Sequence, residues 1–243
     1  MIRFRKLLPL AVAALVGAAF LAAPTPARAD LEIALQEDAG PFTVVATGTS
    51  FTSTSFTGTF GDFTVTILGG SSGNGALLSD LLSSTTLVTN NDGAGHILHL
   101  FVTQDGYTLP IGPKLKVESG LGGSLQGTTT ATLTDIFQAY AATNNALFGT
   151  GDFTNGPQNA SQNVTTFDTG SATGVFTRGA GDFSLTTVAN LELSPGGTLN
   201  YSDHENVTNA VPEPSGVVLA LNGLAFLGMG VWLQRRKAKV QNS

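Results

Sequence analysis

The stretch Phe183-Ser184-Leu185-Thr186-Thr187-Val188-Ala189-Asn190-Leu191-Glu192-Leu193-Ser194-Pro195-Gly196-Gly197-Thr198-Leu199-Asn200-Tyr201-Ser202-Asp203-His204-Glu205-Asn206 decides the fold. On either side of Ser194-Pro195-Gly196-Gly197, apolar and polar residues alternate with the period of a strand, and β-branched and aromatic types are common. The Pro-Gly-Gly segment supplies turn chemistry. The stretch reads as two strands, Phe183–Leu193 and Thr198–Asn206, joined in the best hairpin of the chain.

The same signals recur on the N-terminal side. Strands are expected at Leu31–Leu35, Phe42–Thr47, Phe51–Thr59 and Phe63–Leu68, the last after a tight Gly61-Asp62 turn. Thr85–Thr89 and His96–Thr103 flank Asn90-Asn91-Asp92-Gly93-Ala94-Gly95, which reads as a second hairpin loop. Ser124–Thr134 is Thr-rich and extended, and Ile136–Ala142, whose pattern fits helix or strand, is read as a strand because its surroundings are β. Ala76–Ser83 is the exception, because Leu77, Leu78, Leu81 and Leu82 fall at helical spacing and suggest a short helix. Short strands with frequent turns predict an all-β fold, a β-sandwich over residues 30–210.

Charge divides the 243-residue chain into three parts. Of its 11 Lys and Arg, Arg3, Arg5, Lys6 and Arg28 lie at the start, and Arg235, Arg236, Lys237 and Lys239 lie at the end. In the middle, three cations (Lys114, Lys116, Arg178) face 16 of the 17 acids, which leaves a formal charge of −13. Such a domain repels phosphate backbones, so no nucleic-acid partner is expected. There is no cysteine, so the fold is stabilised by packing rather than disulfides, and thiol catalysis is excluded.

The two ends read as targeting segments. Met1–Ala29 has a charged start, an apolar run Leu7–Ala23 and a small-x-small site, Ala27-Arg28-Ala29, for signal peptidase. At the other end, Val211-Pro212-Glu213-Pro214-Ser215 is stiffened by its prolines. Gly216–Leu233 follows, an uncharged apolar run long enough for one membrane-spanning helix, with Trp232 at its boundary. Arg235, Arg236 and Lys237 form a basic stop-transfer block.

The order of Pro-Glu-Pro, apolar span and Arg-rich end resembles the PEP-CTERM sorting signal of Gram-negative bacteria, over residues 211–239 only. The resemblance implies that exosortase, a membrane-embedded processing enzyme, recognises Val211, Pro212, Glu213 and Pro214. It further implies transit through the inner membrane, delivery to the cell surface or extracellular matrix, and association with exopolysaccharide.

Candidate chemistry in the middle part is sparse. His96 and His99 lie three residues apart on an expected strand, hence on opposite faces, and read as surface or edge residues rather than a metal pair. Asp203 and Glu205 share a strand face opposite His204, a two-carboxylate arrangement that a hydrolase would use. Gly-Asp-Phe-(Thr/Ser) occurs at Gly61–Thr64, Gly151–Thr154 and Gly181–Ser184. It reads as repeated turn chemistry with Phe entering the core, the sharper alternative being convergence of Asp62, Asp152 and Asp182 on calcium. Ser119-Gly120-Leu121-Gly122-Gly123 reads as a flexible turn, not a phosphate cradle, because no helix signal follows. The pairs Thr52/Thr54, Thr57/Thr59 and Thr64/Thr66 put hydroxyls on one strand face, as ice-binding surfaces do, without their regular repeat. Three Asn-x-Ser/Thr sequons (Asn159, Asn163, Asn206) match a glycosylation pattern that need not operate in a bacterium.

These readings assign no catalytic, metal or cofactor residue. The expected protein is a non-enzymatic, structural or adhesive ectodomain. The alternatives are a carbohydrate-binding module using Tyr107, Tyr140 and Tyr201, an ice-binding surface, or a hydrolase on Asp203 and Glu205.

Overall fold

The alternation is realised in strands throughout. The computed structural model describes residues 30–210 except 50 and 128. The expectations for 1–29 (with Ala27 and Ala29) and for 211–239 (Val211, Pro212, Glu213, Pro214, the membrane helix, and Arg235, Arg236 and Lys237) lie outside the described residues. Among the described residues, no helix is long and apolar enough to cross a membrane.

In chain order the strands are β1 (Asp30–Glu37), β2 (Thr43–Thr49), β3 (Ser53–Phe60), β4 (Phe63–Asn74), β5 (Ser79–Asn90), β6 (His96–Tyr107), β7 (Lys114–Gln126) and β8 (Ala131–Thr132). They continue with β9 (Phe137–Ala142), β10 (Phe153–Gln158), β11 (Ser161–Asn163), β12 (Thr166–Asp168), β13 (Ala172–Thr177), β14 (Phe183–Leu193) and β15 (Thr198–Asn209). They form two sheets. The first runs β10-β9-β14-β6-β1-β2, with β8 also on β14; the second runs β11-β12-β7-β15-β5-β4-β3, with β13 also on β7. Each pairing is antiparallel.

One core lies between the sheets. Leu31, Ile33 and Leu35 of β1, Leu98 and Leu100 of β6, and Leu185, Ala189 and Leu191 of β14 face Leu81 and Val88 of β5, Val117 of β7, and Leu199 and Val207 of β15. Each such Leu or Phe stabilises the fold by about 1.5–3 kcal/mol when fully buried. β14 is buried on both faces from Phe183 to Ala189. Its outer face is covered by the segment after β9: Ser184 Oγ donates to Ala146 O at 2.6 Å. Beside it, Phe148 N donates to Thr103 Oγ1 at 3.0 Å, and Phe148 packs on Phe42.

Several expectations are corrected. Neither expected hairpin is one: β5 and β6 lie in different sheets, as do β14 and β15. The chain does reverse at both turns, but it crosses between sheets. β14 pairs with β6 and β15 with β5, so two arches lie side by side. Buried Asn90 ties them together. Its Nδ2 donates to Ala94 O at 2.8 Å and Leu193 O at 3.2 Å, and its backbone N donates to Gly197 O at 2.9 Å.

The expected helix at Ala76–Ser83 is instead the approach to β5 and its start. Leu81 enters the core while Leu77 stays 85% exposed, so strand pairing overrides the helical spacing. The expected flexible turn at Ser119–Gly123 is the middle of β7. Its glycines permit close approach: a Cβ on Gly123 would stand 2.2 Å from Asn200 O. The extended run Ser124–Thr134 is broken after Gln126, where Gly127 takes φ 62°; Ile136–Ala142 is a strand, as read.

Candidate functional site

β15 alternates, so Tyr201, Asp203, Glu205 and Val207 all point between the sheets. Asp203 and Glu205 do share a face, but that face is the interior: they are 4% and 0% exposed. The Ser83 hydroxyl, from the adjacent strand β5, donates to Asp203 Oδ2. Asp203 Oδ1, both Glu205 oxygens, and the hydroxyls of Tyr201, Thr85 and Thr187 are buried without a hydrogen-bond partner. Burial penalises the ionised forms. It pushes the Asp203 carboxyl up to about 7, with the Ser83 hydroxyl pulling the other way. Burial, then the charge of Asp203, holds Glu205 well above the usual carboxylate range. Burial also raises Tyr201, helped by Asp203. Both carboxyls are thus interior groups, out of reach of a polymer at the surface.

The polar interior continues beside Glu205. Its register partner on β7 is Ser119, also 0% exposed. Ser119 Oγ accepts from Asn155 Nδ2 and from Gln158 Nε2, both at 3.0 Å. Asn155 and Gln158 come from β10, the edge strand of the opposite sheet. Asn155 and Gln158 were not singled out from the sequence, and Ser119 was read there only as part of a flexible turn; nothing local marks the three as buried.

Outside, strands β3, β4, β5 and β15 form a groove of about 660 Å³ lined by Ser53, Ser55, Ser71, Ser84, Ser202, Leu82 and His204, with Ser83 and Asp203 contributing from beneath. Of the three tyrosines suggested for sugar stacking, Tyr107 and Tyr201 are buried at 0% and 4% exposure, which removes them from any surface. Tyr107 instead donates to Asp80 O at 2.7 Å.

A second cluster sits where the turns β1–β2, β3–β4 and β5–β6 meet. His96 Nδ1 lies 2.8 Å from Asp38 Oδ2, and its Nε2 lies 3.0 Å from Asp92 Oδ2 and 3.7 Å from Asp62 Oδ2. Both Glu37 oxygens accept the Asp62 N–H at 3.2 Å. The hydrogen bond to Asp38, then that to Asp92, raises the imidazole to about 9, so at neutral pH it is an imidazolium donating from both nitrogens. Glu37, Asp38 and His96, and likewise Asp62, Asp92 and His96, hold ligand atoms within 4.8 Å of one another, so a cation entering here would first displace that proton. His99 is apart from this cluster, bonded through Nδ1 to Asn190 Oδ1 at 2.7 Å.

The three Gly-Asp-Phe repeats behave as turn chemistry. Phe63 and Phe183 are fully buried, and Phe153 packs against the core. Their aspartates have different neighbours: Asp62 meets His96, Asp152 accepts from the Thr143 N–H and hydroxyl, and Asp182 lies near Asp105.

Compared with family models, curated proteins and solved structures, the chain matches none.

Proposed function

We propose that this is an exported cell-surface or extracellular-matrix protein. A signal peptide over residues 1–29 is removed. A β-sandwich ectodomain over 30–210 serves as the structural or adhesive part. The PEP-CTERM-like tail over 211–239, with its single transmembrane helix, holds the chain in the inner membrane until exosortase acts. The observation that carries the reading is where the strands stop. β15 ends at Asn209, two residues before Val211-Pro212, and it is an inner strand paired with β5 and β7 along its length. Processing in the tail therefore removes nothing from either sheet, and a load on the tail is borne by a central strand. The charge of −13 between the ends suits a solvated exterior domain. Intact mass of the protein from its host, with and without exosortase, tests this. Loss of residues 1–29 in both strains, with loss of the tail only where exosortase is present, is expected. A tail retained in both strains overturns it.

The serine-lined groove favours a second reading, a polysaccharide-binding module that grips by hydroxyl contacts rather than aromatic stacking. Binding to host exopolysaccharide that is lost in Ser84→Phe is expected on that reading; silence across matrix glycans removes it.

A further inference from the structure

Ser119 and Gln158 are hydrogen-bonded across the space between the two sheets, and Glu205 neighbours Ser119 in register. Ser119 is on β7 of one sheet and Gln158 on β10 of the other. Gln158 Nε2 donates to Ser119 Oγ at 3.0 Å and to Asn155 O at 3.1 Å. Its carbonyl, Oε1, is buried with no hydrogen-bond partner. Glu205 stands opposite Ser119 in register on the same interior face, and neither of its carboxyl oxygens has a hydrogen-bond partner. Asn155 Nδ2 is held between Ser119 Oγ and Ala172 O (2.7 Å), which fixes the hydroxyl in place. Left unreacted, this set costs stability, because a buried carbonyl and a buried carboxyl forgo the bonds they would make to water. Read as reactants, it sets a nucleophile and an acyl group in hydrogen-bond contact, with a buried carboxyl beside them on the neighbouring strand.

We propose that Ser119 and Gln158 condense, with Glu205 carrying the protons, into an intramolecular ester that joins the two sheets covalently. Ser119 Oγ bonds to Gln158 Cδ and passes its proton to one Glu205 oxygen. The other Glu205 oxygen gives its proton to Nε2, the Cδ–Nε2 bond breaks, and ammonia leaves. Glu205 ends as it began, and neither oxidant nor co-reactant is needed. Burial holds Glu205 protonated, the form this relay requires. Escape of ammonia draws the reaction forward, and burial of the three side chains keeps bulk water from the ester. The cross-link would do for a cysteine-free exported domain what disulfides do elsewhere. It does not depend on how the tail is processed.

The test is peptide mass on the full chain purified from its host. Between residues 30 and 210 trypsin cuts only after Lys114, Lys116 and Arg178, so Val117–Arg178 is one peptide holding both partners. It is expected to be lighter by about 17 Da, the mass of one ammonia, with few backbone fragments between Ser119 and Gln158. Chymotrypsin, cutting near Phe137 and Tyr140, should leave two peptides joined, and alkaline hydroxylamine should part them. Ser119→Ala and Glu205→Gln should restore the full mass. A wild-type peptide of unaltered mass overturns the proposal. So does the same mass loss with peptides that separate on chymotrypsin cleavage, the mark of a succinimide at Asn155-Gly156, or a link mapped to Asn155. The wild-type measurement decides even if a variant fails to fold.

Discussion

Asp203 and Glu205 lie between the sheets, whereas Asp38, Asp62 and Asp92 lie at the turns around His96. The residue types are the same; their surroundings are opposed. In the interior, Asp203 has one hydroxyl donor, Glu205 has none, and burial decides the protonation state. At the turns, an imidazolium and backbone N–H groups favour the ionised carboxylates: the His96 hydrogen bonds hold Asp38 and Asp92 below their ordinary value. A carboxylate's effect on the fold is thus set by what can donate to it. On the acid side the two regions should respond to pH in opposite senses.

In the interior, Asp203 is raised from 3.8 to about 7. Folding then favours the protonated acid. Its contribution is fully present below pH 3.8, falls as pH rises towards 7, and is lost above. Glu205 is raised in the same direction and adds to the fall. The largest expected effect follows from removing that liability: Asp203→Asn should stabilise the protein at pH 8 by on the order of 2–4 kcal/mol and leave it nearly unchanged at pH 4. Urea midpoints at the two pH values measure it. An equal loss at both would mean that the Asp203 oxygens are better partnered than the interior suggests.

Ser83→Ala sharpens the same point from the donor side. The Ser83 hydroxyl is the hydrogen-bond donor to Asp203, so its removal should cost about 1–2 kcal/mol at pH 8. At pH 4, where the folded-state acid is neutral, the cost should shrink. The apparent pKa of Asp203, followed by carboxyl carbon chemical shift, should rise. A cost independent of pH would assign Ser83 a packing role alone.

How far the sequence was legible follows the same division between local and non-local physics. Alternation placed β14, β15 and β1 and put Asp203 and Glu205 on one face, because strand period is a local property. Pro195-Gly196-Gly197 announced a reversal, yet turn residues do not say whether the next strand pairs with the last or crosses to the other sheet. Here Asn90, more than a hundred residues away, closes the corner on Leu193 O. The burial of Asp203, Ser119 and Gln158 was illegible for the same reason: which face is interior depends on a partner sheet. The His96 cluster was missed because Asp38, Asp62 and Asp92 belong to three separate turns. The offset of His96 from His99 was read correctly, but the relevant partners were not on that strand.

The smallest expected effect belongs to the turns. His96 is raised from 6.5 to about 9, so its contribution is fully present below pH 6.5 and gone as pH rises through 9. Asp38 and Asp92 are lowered, so theirs is present above their ordinary value near 3.8 and lost as pH falls through the depressed one. Together they define a window between acid and about pH 9, opposite in slope to the interior on its acid side. Within it, His96→Gln should lower Tm by a few degrees at most, since these are exposed, solvent-screened pairs. The drop should fade at pH 10 and in high salt, where the imidazole is neutral or the pairs are screened. A drop that persists at pH 10 would show that His96 acts through packing and its neutral hydrogen bonds. The turns would then resemble the interior, where what is donated matters more than charge.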